Sequence, residues 1–299
     1  MRQTITLIIC QALLLAPLTG WTQAAEEETL TVTVTPLQGS LYLLQGRGGN
    51  VVASVGDDGI LIIDDDYAEY ANAYHDALKS VSGTDGLPRF VINTHWHSDH
   101  VGTNAYWGER GAVIMAQENV YQRMSTRQEM KLFDRVVEPG PAAALPVVTY
   151  ADSIVVRFNG DRLDVQHFAG GHTDGDSVVF FARENVVHMG DHFFKDRFPF
   201  VDIGSGGNVL GYTANVTAIL EQINDDTVIV PGHGSLATRA DLVRYLQMLE
   251  TTTAQVQAGL EQGLSVEQIS AQGLGEQWQS WGQGFIKEPA WVSFIAGSL

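Results

Sequence analysis

Three histidines and an aspartate fall within six residues of 91-VINTHWHSDHVGTN-104, directly after a run that reads as a buried strand. The whole 299-residue chain holds nine histidines, so this crowding narrows what the segment can do. A metal ion requires several deprotonated donors converging on one point, and His and Asp in a strand-end loop supply them. In an extended segment alternate side chains share a face, so His95 and His97 leave together. Asp99 and His100 lie just past the turn and reach a second point nearby. Neither pair completes a coordination sphere, so further donors are expected at the ends of other strands.

Three later stretches offer them. His172 sits in the glycine-flanked turn 170-GGHTDGD-176. Asp191 follows the strand-like run 185–190 within 188-HMGDHFF-194. His233 follows the run 227–231 within 231-PGHGS-235. The glycines permit tight backbone turns at each place. The chain has one cysteine, Cys10, inside an apolar leader, which leaves no thiolate to serve as ligand or nucleophile in the body of the protein.

That leader, 5-ITLIICQALLLAPL-18 followed by 19-TGWTQA-24, reads as a secretory signal peptide cleaved after Ala24. It is shorter than the roughly 20 apolar residues of a membrane span. A periplasmic or secreted location is expected, with no membrane attachment after cleavage. The formal net charge of −18 repels polyanions, so a small-molecule substrate is expected and nucleic acid is not.

From residue 25 to 299 the pattern suits one α/β domain. Strands are expected in 29–46, in a hairpin over 50–66 turning at 57-DDG-59, and at 89–94. Further strands are expected at 152–158, 161–168, 177–182, 185–190 and 227–231. Helices are expected at 67–81, 117–137 and 208–223, with capping-box starts at 238-TRAD-241 and 265-SVEQ-268. In the 117–137 helix, Arg123, Arg127, Lys131 and Arg135 recur every fourth residue and would line one face. Such a stripe either guides anionic substrates or is a solvated face.

The succession H-x-H-x-D-H, glycine-flanked His, G-D and P-G-H-G resembles the metallo-β-lactamase superfamily. Its seven ligand positions match across residues 95–233. The resemblance implies a four-layer αβ/βα sandwich with a two-metal site at one edge. It further implies one zinc ion on His95, His97 and His172, and a second on Asp99, His100 and His233. Asp191 would bridge them, a hydroxide between the ions would be the nucleophile, and Asp99 would also orient it and relay its proton. Two positions depart from the best-known β-lactamases of the family, which carry cysteine where this chain has Asp191 and no histidine where it has His100. The bridging-aspartate set looks more like the family's thioesterases, lactonases and phosphodiesterases, whereas export and the stretch 191–208 look more like its β-lactamases. Thr103 stands where a glycine is usual.

Other candidates follow by position. The family often places a supporting carboxylate where Asp64 ends the run 60-ILIID-64, and His192 adjoins Asp191. Asp65 and Asp66 are expected to be solvated, His75 to lie on the surface, and His167 and His188 to be core residues. Lys195 and Arg197 are candidates to hold a substrate carboxylate, and Asn208 to polarise a carbonyl. The leading expectation is an exported zinc hydrolase acting on a β-lactam, lactone, ester or thioester, antibiotics among them. Phosphodiester hydrolysis, iron-dependent sulfur dioxygenation and metal binding without turnover are the alternatives. Substrate choice is expected to lie in loops 46–50, 115–150 and 195–208.

Overall fold

The computed structural model describes residues 30–299, so the expected leader lies outside the described residues. The chain begins as a meander of β1 (Thr33–Pro36), β2 (Leu41–Gln45), β3 (Val51–Gly56) and β4 (Gly59–Ile63). Each is antiparallel to the one before. The expected turn at 57–59 is present, with Gly59 at φ 104°, a backbone conformation that glycine adopts without steric cost. Helix α1 (Ala71–Ser82) ends where Gly83 turns left-handed at φ 63°. Strand β5 (Phe90–Ile92) leads through the short helices α2 (Ser98–Val101) and α3 (Asn104–Gly108) to β6 (Val113–Gln117).

The expected helix over 117–137 is corrected by the structure. Only α4 (Glu118–Met124) is helical, and the chain then forms a hairpin of β7 (Gln128–Met130) and β8 (Arg135–Val137). Asp134 in its turn takes φ 46°, which a right-handed helix cannot hold. The four basic residues therefore do not share a helix face. Strand β9 (Val148–Tyr150) completes a seven-stranded sheet in the order β1-β2-β3-β4-β5-β6-β9, parallel from β4 onward.

A second sheet holds β10 (Ser153–Phe158), β11 (Asp161–His167), β12 (Ser177–Phe181), β13 (Val186–His188) and β14 (Val228–Val230). Helix α5 (Val209–Leu220) precedes β14, and α6 (Arg239–Glu261), α7 (Val266–Gln272) and α8 (Glu288–Ser298) follow it. Both expected capping boxes are formed, by Thr238 with Asp241 and by Ser265 with Gln268.

Strand alternation produces the four layers. Leu61 and Ile63 point between the sheets and meet Val165 and Val179. Ile60 and Ile62 point outward onto Tyr74 and Leu78 of α1. On the second sheet Val178 and Val187 point away from that interface, toward Tyr212 and Val216 of α5 and Tyr245 of α6. The result is helix, sheet, sheet, helix, an αβ/βα sandwich. Among the described residues no helix is long and apolar enough to cross a membrane.

The site edge follows from register. Ile63 at the end of β4 pairs with Ile92 at the end of β5, and His188 at the end of β13 pairs with Val230 at the end of β14. Both pairs are parallel. The loops after these four strands therefore leave the sandwich on matched ends, carrying Asp64, the 95–100 cluster, Asp191 and His233.

Candidate metal centre

The structure brings all seven sequence-predicted donors together. Their donor atoms form two groups, His95, His97, His172 and Asp191 in one, and Asp99, His100 and His233 in the other, with spacings within 4.8 Å inside each. The Asp191 carboxylate joins the groups. Its Oδ2 lies 3.7 Å from His95 Nε2 and 3.3 Å from His172 Nε2. Its Oδ1 lies 3.1 Å from His100 Nε2 and 3.4 Å from His233 Nε2. Asp99 Oδ2 stands 3.3 Å from His233 Nε2.

Hydrogen bonds behind the histidines decide which nitrogen faces inward. His97 Nε2 bonds Asp202 Oδ2 at 3.0 Å, which leaves Nδ1 for the centre. His172 Nδ1 bonds the Phe200 carbonyl at 2.8 Å, and His100 Nδ1 bonds Asp64 Oδ2 at 2.8 Å. His95 Nδ1 bonds Thr94 Oγ1 at 3.0 Å, and that hydroxyl donates to Asp64 Oδ2 at 2.8 Å. These tautomers are assigned from the network. They point the lone pairs of His95 Nε2, His97 Nδ1, His172 Nε2 and His100 Nε2 at each other's neighbourhood. Metal-ligating histidines are held in this way.

The donors fit a metal. His95 Nε2 and Asp191 Oδ1 are buried with no hydrogen-bond partner among the described residues, which is costly for polar atoms unless something else satisfies them. His172 Nε2 and His97 Nδ1 face each other at 2.8 Å, both with their other nitrogen already engaged. Electrostatics make the same demand for positive charge. Burial would raise Asp191, but His100 and His233 outweigh it and hold the carboxyl well below its ordinary value. Burial would lower His233, but Asp191 and Asp99 overcome it and push the imidazole up to about 9. Burial, together with repulsion from His97, takes His172 down to about 4 against the pull of Asp191. The Asp191–Asp99 side of the site thus draws protons onto His100 and His233, at the point where a divalent cation would supply the charge instead.

Asp64 is the best-placed of the supporting residues. It adopts φ 61°, is fully buried, and also accepts from Thr94 N–H at 2.7 Å. The expectation that Asp65 and Asp66 are solvated is corrected, since both are buried. Asp65 accepts from Thr103 N–H, and the Thr103 hydroxyl returns a bond to the Asp65 carbonyl. Threonine at that position thus ties the cluster loop to the end of β4. Asp66 accepts from Gly48 N–H and Tyr74 Oη–H. His192 supports the turn bearing His172. It lies 3.1 Å from Asn215 Nδ2 and fills the space beside Gly171, where a Cβ would come within 2.2 Å of its ring. His188 is buried and bonds the Asn50 carbonyl, whereas His75 is half-buried and bonds Tyr106. Asp202 was not singled out by the sequence, which shows only an acid in the 195–208 loop.

A cavity of about 640 Å³ opens onto His97, Asp99, Asp191 and His233. Arg197 lines it, and so does Arg135. Two other expectations are corrected. Lys195 turns away and donates to the Leu236 carbonyl at 2.7 Å, with Asp241 at 3.5 Å. Asn208 caps α5, its Oδ1 accepting from Leu210 and Gly211 N–H, so that oxygen is spent on the helix. Arg123 and Arg127 are paired with Asp174 and Glu129. The walls come from the 46–50, 115–150 and 195–208 loops as expected, and also from Phe285 and Ile286, which the sequence did not suggest.

An αβ/βα sandwich whose edge gathers five histidines and two aspartates defines a fold built around a candidate metal site. Residues 34–233 match the metallo-beta-lactamase superfamily, and the chain belongs to that family. A metallo-beta-lactamase type 2 from Bacteroides fragilis is 23% identical over 143 residues, 48% of this chain and 52% of that protein. The chain thus matches about half the length of that relative. Among solved structures, a metallo-beta-lactamase from Pontibacter korlensis superposes with a TM-score of 0.59 at 17% identity, over 74% of this chain and 99% of that one. A stereoselective inverting sec-alkylsulfatase from Pseudomonas sp. superposes with a TM-score of 0.66 at 16% identity, over 88% of this chain and 49% of that one. At such identities the superpositions speak for the fold.

Proposed function

We propose that this chain is an exported dinuclear zinc hydrolase acting at a carbonyl carbon in a β-lactam, lactone, ester or thioester. The observation that carries the reading is Asp191, whose two carboxylate oxygens face two separate donor groups. When bound, zinc would make hydroxide available near neutral pH and polarise the carbonyl. The chain's own residues supply the rest. Asp99 lines the cavity and stays ionised, because His100 and His233 outweigh the effect of its burial. It is therefore placed to orient a water by accepting a hydrogen bond from it. Asp64, Thr94 and Asp202 keep the imidazoles in one tautomer. Arg197 holds a negative substrate group, and the apolar walls exclude water from the reacting atoms.

The test is turnover of a chromogenic cephalosporin, a lactone, an ester and a thioester by the zinc-loaded protein, with Asp99→Asn alongside. We expect about two zinc ions per chain and an efficiency above about 10⁴ M⁻¹s⁻¹ on one class, lost in the variant. Two bound zinc ions with no turnover of any class would reject the hydrolase reading. N-terminal sequencing of protein recovered from outside the cytoplasm should begin at Ala25, and a start at Met1 would reject cleavage.

A further inference from the structure

A line of aromatic rings leads from solvent to the donor cluster. Phe285 is 68% exposed at the rim. Its ring centroid lies 5.4 Å from that of Phe133, just before the turn between β7 and β8. Phe133 lies 5.1 Å from Phe200, and Phe200 lies 5.6 Å from the ring of His97. All three phenylalanines line the cavity. Phe285 is exposed, Phe133 half-buried and Phe200 buried, so the aromatic lining runs from the rim to the cavity floor, and a cavity lined in this way suits an apolar ligand.

Two arginines, Arg135 and Arg197, share the cavity with that track. Arg135 follows Phe133 by two residues. Arg197 packs against the chain next to Phe285, since a Cβ built on Gly284 would lie 3.1 Å from Arg197 Cβ. Both line the cavity. Neither guanidinium has an ion-pair or hydrogen-bond partner among the described residues, whereas Arg47 beside the same cavity is paired with Glu69. In a chain of net charge −18, these two cations without partners give an anion a place to pair in a cavity that Asp99, Glu138 and Asp191 also line.

We infer that the substrate is an amphiphilic anion, with an aryl or long-alkyl body along Phe285, Phe133 and Phe200 and a carboxylate, sulfonate or sulfate near Arg135 and Arg197. The inference deepens the hydrolase reading, which supplies the chemistry at the inner end. It excludes small polar substrates, which would leave the aromatic track wet.

Two dyes that differ by one charged group test it. They are 8-anilinonaphthalene-1-sulfonate and its neutral parent, N-phenyl-1-naphthylamine. Both are titrated by fluorescence into the zinc-loaded full chain, with near-UV circular dichroism checking that each variant is folded. We expect one site per chain and about tenfold tighter binding of the sulfonate, the strength of one charge-assisted contact. Phe133→Ala should weaken both dyes by about tenfold. Phe285→Ala, at an exposed position that folding does not need, should weaken both less. Arg197→Ala should reduce the sulfonate preference, Arg135→Ala with Arg197→Ala should erase it, and Lys195→Ala should change neither. Equal affinity for the two dyes, or wild-type binding by Phe133→Ala, overturns the inference. The readout is independent of turnover. Dye binding without hydrolysis of any panel substrate would reject the hydrolase and keep this substrate class, and hydrolysis without dye binding would do the reverse.

Discussion

Replacing Asp64 tests whether the cluster is a metal site held from behind. Asp64 accepts three buried hydrogen bonds, from Thr94 N–H, Thr94 Oγ1–H and His100 Nδ1–H. Asp64→Ala strands all three donors, each costing about 1–3 kcal/mol, so it should unfold or nearly unfold the protein. Asp64→Asn is the informative change. Asparagine tolerates the left-handed backbone at φ 61° and keeps one oxygen acceptor. Its amide N–H₂ takes either the Oδ1 place, facing the Thr94 backbone N–H, or the Oδ2 place, facing both the Thr94 hydroxyl and His100 Nδ1–H, donor against donor in each case. The cost to stability should be about 1–3 kcal/mol, and His100 Nδ1 keeps at best a neutral amide oxygen where a carboxylate stood. Loss of such a partner typically weakens metal binding by about 10–100-fold. The loss should fall mainly on the group formed by Asp99, His100 and His233. The group with His95 should suffer less, because Asp64 reaches it only through Thr94. Zinc titration against a chromophoric chelator, resolving two affinities, measures this directly. Two zinc ions held with wild-type affinities by folded Asp64→Asn would refute the argument, as would equal weakening of both.

Two further outcomes follow from the same geometry. In Gly232→Ala, the new Cβ would stand 2.1 Å from Asp191 Oδ1 and 2.6 Å from the Gly190 carbonyl oxygen, and the backbone atom cannot move aside cheaply. The Asp191 carboxylate, which joins the two donor groups, should be displaced, with metal content falling at both groups and stability by about 1–3 kcal/mol; full zinc occupancy would contradict it. His192 should make the protein acid-sensitive. Burial, with repulsion from His172, takes its imidazole down to about 3 in the fold. The unfolded chain, titrating near 6.5, then binds more protons, so stability is present above about pH 6.5 and falls by up to about 5 kcal/mol as pH drops through about 3. Urea unfolding midpoints measured between pH 7 and pH 4 should fall less steeply for His192→Gln, and equal slopes would discount the group.

The donors were readable in the chain while several of their supports were not, for a physical reason. A ligand must be a His or Asp at a strand end, and both the residue type and the strand end leave local marks. His95 to His100, His172, Asp191 and His233 all carry them. A supporting bond carries no local mark. Asp202 reaches His97 across 105 residues, and nothing near either residue announces the partner. Direction is equally silent. Lys195 and Arg197 lie two residues apart after the same ligand, yet only Arg197 faces the cavity, because Lys195 Nζ finds the Leu236 carbonyl. The basic residues from Arg123 to Arg135 misled through periodicity. A four-residue spacing suits a helix but does not exclude a hairpin, and the turn is set by Asp134 going left-handed. The run 64-DDD-66 holds the opposite lesson. Acids usually mean solvent, but Asp64 and Asp66 both sit at φ 61° and turn inward, because aspartate is among the few residues that accept that backbone and can cap the amides it exposes. Three buried acids after a β-strand therefore read better as scaffolding for a charged centre than as surface, and the neighbouring cluster of histidines is the feature that decides between the two.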